Sequence, residues 1–170
     1  MLANAQEKYM TLTELPFDFP GRIFRSPMPF SHYDPLDELW PAYQKADINV
    51  VVVLTEPQEY LTITQRDLVA FYRGAGLDAV PLPIPDFHTP TDLDAFGKTI
   101  QKVVNCAEAG QNIVVHCLAG LGRTGIFLAC LARQKFGFSG REAVNWVRKY
   151  IPSALENKEQ MRFVGDFQTT

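Results

Sequence analysis

Residues 112–125 read NIVVHCLAGLGRTG, and the apolar run IFLACL follows at 126–131. The β-branched opening, 112–116, suits a strand buried on both faces of a parallel sheet, and the spacing after it predicts a helix over 125–136. A strand, a glycine-bearing loop and a helix N-terminus in that order aim several backbone N–H groups at one point. The positive end of the helix dipole adds to them, and the junction becomes an anion pocket. Gly120 and Gly122 let the main chain approach the anion without a Cβ in the way. The amides of Leu118, Ala119, Gly120, Leu121 and Gly122, with the forked guanidinium of Arg123, form a cradle for a tetrahedral anion. Cys117 sits at its mouth, where positive surroundings favour the nucleophilic thiolate. The same field favours the charge of a phosphate and of its transition state, so attack of sulfur on phosphorus is the expected chemistry. Thr124 is placed to donate its hydroxyl to the sulfur as it leaves. His116, at the end of a buried strand, is expected to orient the loop rather than act as a base. A cysteine and an arginine six positions apart are common by chance; the ordered company of His116, Gly120, Gly122, Thr124 and Gly125 is not.

Outward from this junction the chain alternates. Strands are expected at 48–54 (INVVVVL) and 79–84, with a weaker edge strand at 22–25. Helical spacing of apolar residues covers 35–46, 64–74, 91–109, 139–150 and 157–167, and Thr91 with Asp94 resembles a capping box. The fold class is therefore α/β, a short central, mostly parallel sheet flanked by helices. Strand ends of such a sheet share one edge, which brings the loop after 79–84 to face the Cys117 loop across a crevice. That loop, PDFHTP at 85–90, carries Asp86, a candidate acid to protonate a departing oxygen. His88 is better explained as an exposed loop residue than as a substrate contact, and Glu56 receives no role.

The chain has 170 residues, 46% of them hydrophobic and 21% charged, which fits one globular domain over 1–170, with 1–14 as a flexible or peripheral N-terminal segment. A net charge of −3 with no basic run argues against nucleic acid as a partner. No segment reads as a signal peptide or a membrane span, so no membrane partner and a cytoplasmic location are expected. Cys106, Cys117 and Cys130 lack the spacing of a disulfide framework or a zinc site. Cys130 reads as core; Cys106 also reads as buried, with a protective disulfide to Cys117 as the alternative.

The run from His116 and Cys117 to Gly125 resembles the HCxxGxGR[S/T]G signature of cysteine-dependent protein-tyrosine phosphatases. Pro85, Asp86 and Phe87 resemble the acid loop of their small atypical dual-specificity members, and kinase-associated phosphatases are similar too. The likeness extends more loosely from Leu15 and Pro16 to Gln160. It implies a protein-tyrosine-phosphatase-like fold and a phosphocysteine intermediate at Cys117. It also implies phosphate binding by Arg123 and the loop amides, acid–base work by Asp86, a phosphorylated protein or peptide as substrate, and no cofactor or metal. Gln160 matches the place where some relatives carry a water-positioning glutamine. The chain has no insertion like the phosphotyrosine clamp of larger tyrosine-specific enzymes, which implies a shallow cleft open to phosphoserine and phosphothreonine as well. The alternatives are a phosphatase for phosphoinositides or other non-protein monoesters, and a phosphate-reading module without turnover. Oligomeric state is not legible.

Overall fold

The computed structural model describes residues 11–169. Of the N-terminal stretch 1–14, residues 1–10 lie outside the described residues, and Thr13 and Glu14 enter a strand. Among the described residues the sheet has five strands: β1 (Thr13–Leu15), β2 (Ile23–Ser26), β3 (Ile48–Val53), β4 (Asp78–Pro81) and β5 (Asn112–His116), in the order β1-β2-β5-β3-β4. β1 pairs antiparallel with β2, and the other neighbours are parallel. Seven helices accompany them: α1 (Leu39–Lys45), α2 (Pro57–Thr64), α3 (Leu68–Gly74), α4 (Leu93–Glu108), α5 (Gly122–Phe136), α6 (Gly140–Arg148) and α7 (Lys158–Asp166). None is long and apolar enough to cross a membrane.

The unbroken valines of β3 follow from burial on both faces. Val50, Val52 and Leu54 join one core with α4, α5, α6 and α7, while Val51 and Val53 join a second core with α1, α2 and α3. β5 divides the same way, Ile113, Val115 and Cys117 toward the first core and Val114 toward the second. Alternation of side chains along a strand thus sends the two neighbours at its end, His116 and Cys117, to opposite sides of the sheet.

Several elements depart from the expected pattern. The stretch around 22–25 is not an edge: β2 lies between β1 and β5 and is buried throughout. β1 covers it, and its three residues are too few to display a period of two. At the other side β4 ends at Pro81, but the chain keeps its course: Leu82 N donates to Val53 O at 2.9 Å and Ile84 N to Leu54 O at 3.0 Å. Pro81, Pro83 and Pro85 alternate with those donors and place their missing N–H groups toward the free edge.

The helix expected over 64–74 starts later, at Leu68, and its first residue Thr64 instead ends the preceding helix. α2 closes at Gln65, which adopts a left-handed φ of 54°, and α3 opens at Asp67, whose side chain accepts from Ala70 N. α2 itself was not expected, although Pro57 in its first turn and a Glu56–Glu59 capping box mark its start. Helix α4 is capped by Asp92, which accepts from Ala95 N at 2.9 Å, in place of the expected Thr91 and Asp94 pair. α5 begins at Gly122, a turn before the expected start, so that Arg123 and Thr124 lie within its first turn.

Phe96 of α4 ties the helix after the 85–90 loop to the rest of its core. Fully buried, it meets the rings of Phe127, Phe163 and Phe167 at centroid distances of 5.7, 5.4 and 5.6 Å. Phe96→Ala is expected to cost about 3–5 kcal/mol of stability, measured by denaturant unfolding.

Candidate active site

Every loop leaving the C-terminal end of a parallel strand arrives at one edge of the sheet, and residues from four of them meet there. The β5–α5 loop brings Cys117. Gly120 adopts φ 74°, and its N–H donates to Cys117 Sγ at 3.2 Å. A Cβ on Gly120 would lie 2.4 Å from Ser26 O, so this glycine satisfies both a left-handed turn and a close approach. Gly122 opens α5 with no side chain capping the helix; a Cβ there would lie 2.1 Å from Glu156 Oε2. The pocket, about 60 Å³, is lined by Cys117, Leu118, Arg123, Asp86, Tyr33 and Glu156 among others. A larger cleft of about 930 Å³ runs between α4 and the end of α7, past Leu93, Phe163 and Phe167, but holds neither a cysteine nor an arginine. Of the two, only the smaller is lined by both a cysteine and an arginine, which makes it the candidate site.

Arg123 is 2% exposed. Its Nη1 donates to Glu59 Oε2 at 2.7 Å and to Ile84 O at 3.0 Å, and its Nη2 donates to Glu59 Oε1 at 2.9 Å. Nη2 also lies 3.1 Å from Asp86 Oδ1, whose side chain is 44% exposed. Burial works against the charge of Arg123, but the Glu59 hydrogen bonds and the negative groups around it outweigh burial and hold its pKa above the ordinary value. Glu59 joins the site although no motif marks it as a functional residue; its local sign is the Glu-Pro-x-Glu start of α2, which fixes a helix at the sheet edge beside the pocket.

His116 is fully buried, and its pKa is lowered to about 4, chiefly by burial. Nδ1 lies 3.0 Å from Cys117 O and Nε2 lies 3.1 Å from Tyr72 OH. A carbonyl can only accept, so Nδ1 carries the proton and Nε2 accepts from Tyr72, whose phenol burial pushes well above its ordinary pKa. His116 thus holds the Cys117 carbonyl from one ring nitrogen and the Tyr72 hydroxyl from the other. Thr124 is buried with its hydroxyl unpartnered, so the expected bond to sulfur is not made in this conformation.

The loop that carries Asp86 is braced from α7. Asn157 caps that helix and donates from Nδ2 to Phe87 O at 2.8 Å, while Gln160 Nε2 donates to His88 O at 3.3 Å. Gln160 is fully buried and also accepts from Glu156 N at 2.8 Å, so both ends of its amide are engaged. Its buried bracing place differs from that of a glutamine on an exposed helix face. Glu156 has a raised pKa, from burial first and then the nearby charge of Asp86. The imidazole of His88 belongs to an exposed residue outside the pocket lining. Cys106, Cys117 and Cys130 are free, so the disulfide alternative is not realised, and burial pushes the Cys130 thiol far up.

The family model described as "Tc-R-P: Polymorphic toxin system, DSP-PTPase phosphatase" matches residues 30–135. The dual specificity protein phosphatase CDC14AB of Danio rerio is 28% identical over 149 residues, covering 83% of this chain and 22% of that protein. The chain spans less than a quarter of the length of the curated relatives it matches. Among solved structures, a kinase-associated phosphatase with its catalytic cysteine replaced by serine superposes with a TM-score of 0.83 at 17% identity, over 92% of both chains, which shows a shared fold. Tk-PTP in its active form gives a TM-score of 0.75 at 28% identity, over 91% of this chain and 95% of that one.

Two outcomes follow from the buried charges. The folded protein holds His116 neutral down to about pH 4, whereas the unfolded chain protonates it near 6.5, so the unfolded state binds the extra proton between these values. Stability present above pH 6.5 should fall by about 3 kcal/mol as pH drops to 4, and thermal melts of His116→Asn should be flatter over that window. Glu59→Ala leaves a buried guanidinium short of its main partner and should cost about 3–5 kcal/mol by denaturant unfolding.

Proposed function

The chain belongs to the DSP-PTPase phosphatase family, and on that premise we propose that it hydrolyses phosphotyrosine, phosphoserine and phosphothreonine monoesters of proteins through a phosphocysteine on Cys117. The observation that carries this reading is the meeting of Cys117, Arg123 and Asp86 in one pocket, from two different loops at the same sheet edge. Arg123 spends three Nη donors on Glu59 and Ile84 O. Its remaining edge, Nε–H beside the second Nη2–H, is the pair left to grip two phosphate oxygens. A phosphate dianion there offers Nη2 a new acceptor and releases Asp86 toward the leaving oxygen.

In the first step Cys117 Sγ forms a bond to phosphorus as the ester P–O bond breaks, and Asp86 gives its proton to the departing oxygen. In the second, a water oxygen attacks phosphorus and passes a proton to the Asp86 carboxylate. The P–S bond then breaks, regenerating the thiolate and releasing phosphate. The amides of 118–122 and the start of α5 stabilise the transition-state oxygens in both steps. A turn of the buried Thr124 hydroxyl toward Sγ would stabilise the departing sulfur. His116 fixes the carbonyl of Cys117, and Gln160, engaged at both ends, braces the acid loop.

Leu118, Ala119 and Leu121 offer no cation for a second phosphate, and Glu156 adds negative charge at the rim. A protein monoester therefore suits the pocket better than an inositol lipid. We read 1–170 as one phosphatase domain, since β1, β2 and α7 lie outside the matched 30–135 yet complete the sheet or brace the site. Free thiols fit a reducing cytoplasm.

The test is turnover of para-nitrophenyl phosphate and a phosphotyrosine peptide, with EDTA and a reductant present. Cys117→Ser should be inactive on both. Asp86→Ala should lose about 10²–10⁴-fold on the peptide and less on the nitrophenyl ester, whose leaving group needs little protonation. A folded wild type that binds phosphate without turning over either substrate would reject the catalytic reading in favour of a phosphate-reading module.

A further inference from the structure

A peptide unit is rigid, so holding a carbonyl in one direction turns the N–H of the following residue the opposite way. Three successive carbonyls of the Cys117 loop are held by Arg25 of β2 and by Met28, two residues past its end. Leu118 O accepts from Met28 N at 2.9 Å, Ala119 O from Arg25 Nη2 at 3.4 Å, and Gly120 O from Arg25 Nε at 3.1 Å. The N–H groups of those peptide units belong to Ala119, Gly120 and Leu121. One unit displays both ends of the device: Ala119 O rests on Arg25 while Gly120 N–H meets Cys117 Sγ. Gly120 also packs so tightly on the Ser26 carbonyl that the loop is moulded against β2.

Arg25 is 1% exposed, an unusual place for a guanidinium in a strand. Resting on the phosphatase reading of the Cys117 loop, we propose that Arg25 is a positioning residue for that loop. Its guanidinium spans two carbonyls from behind and thereby directs the Gly120 and Leu121 amides at the sulfur and at the bound oxyanion. The rigid, planar fork suits this task; the single ammonium of a lysine cannot hold two carbonyls in fixed relation. Nη1 also donates to Thr11 O at 3.3 Å, so a purely structural role in anchoring the segment before β1 is the competing account.

Binding of sodium tungstate, a phosphate-like oxyanion, separates the two. In a Cys117→Ser background, calorimetry would compare the parent with Arg25→Met, Arg25→Lys and Arg22→Met, alongside thermal melts. Arg22 is an exposed neighbour on the same segment, ion-paired with Glu14 of β1 at 2.6 Å, and its variant loosens β1 without touching the loop. Arg25→Met should weaken tungstate binding about tenfold or more. Arg25→Lys should fall between Met and parent, and Arg22→Met should bind as the parent does. Added guanidinium ion should restore part of the affinity of Arg25→Ala. An Arg25→Met chain that melts earlier but binds tungstate as tightly as the parent overturns the proposal. Should the Met variant not fold, parent-like affinity in Arg25→Lys overturns it equally. A parent that takes up no tungstate rejects the phosphatase reading itself, and this inference with it.

Discussion

The ion pair between Arg123 and Glu59 is the constraint around which the functional edge of the sheet is organised. A guanidinium this deeply buried is tolerated only when its donors are met, and both Nη groups meet the two carboxylate oxygens of Glu59. The pair joins the first turn of α5 to α2, and the bond to Ile84 O draws in the chain that continues β4. Three segments distant in sequence thereby converge on one side chain. The edge of Arg123 that faces the pocket is oriented by the edge that does not.

The sheet supplies the rigidity that this arrangement needs. With both faces covered, β3 and β5 lie between two cores, and the strand that ends at His116 is packed on both sides. The strand's alternation sends the imidazole into the core with Tyr72, where it braces the backbone, and leaves the thiol for the pocket. Adjacent residues thus part to opposite faces of the sheet by the pleat of a single strand.

The central features of the fold were legible because they rest on local and strong signals. Buried parallel strands announce themselves as runs of valine, and the Cys117–Arg123 loop carries several constrained positions in a fixed order. What escaped was either short or dependent on distant contacts. β1 is too brief for a period, and without it β2 reads as an edge. The start of α2 had a capping box and a proline, yet the role of Glu59 depends on where α2 lands in space, which no local pattern states. Asn157 stands at the start of the helical stretch expected over 157–167 and caps α7; its second bond, to Phe87 O, belongs to the tertiary structure. Arg25 likewise stands at the end of the weaker edge strand expected at 22–25, whereas its donors meet a loop some ninety residues further on.

The alternating prolines beyond β4 limit how this protein can meet another chain. An extended peptide binds to many sheets by lending itself as one more strand, with main-chain hydrogen bonds providing the grip. The margin formed by Pro81, Pro83 and Pro85 has no N–H groups at those three positions to complete such a ladder, right beside the loop that carries Asp86. A chain laid along it could be held only through the three proline carbonyls, so an added strand would find half the usual grip there.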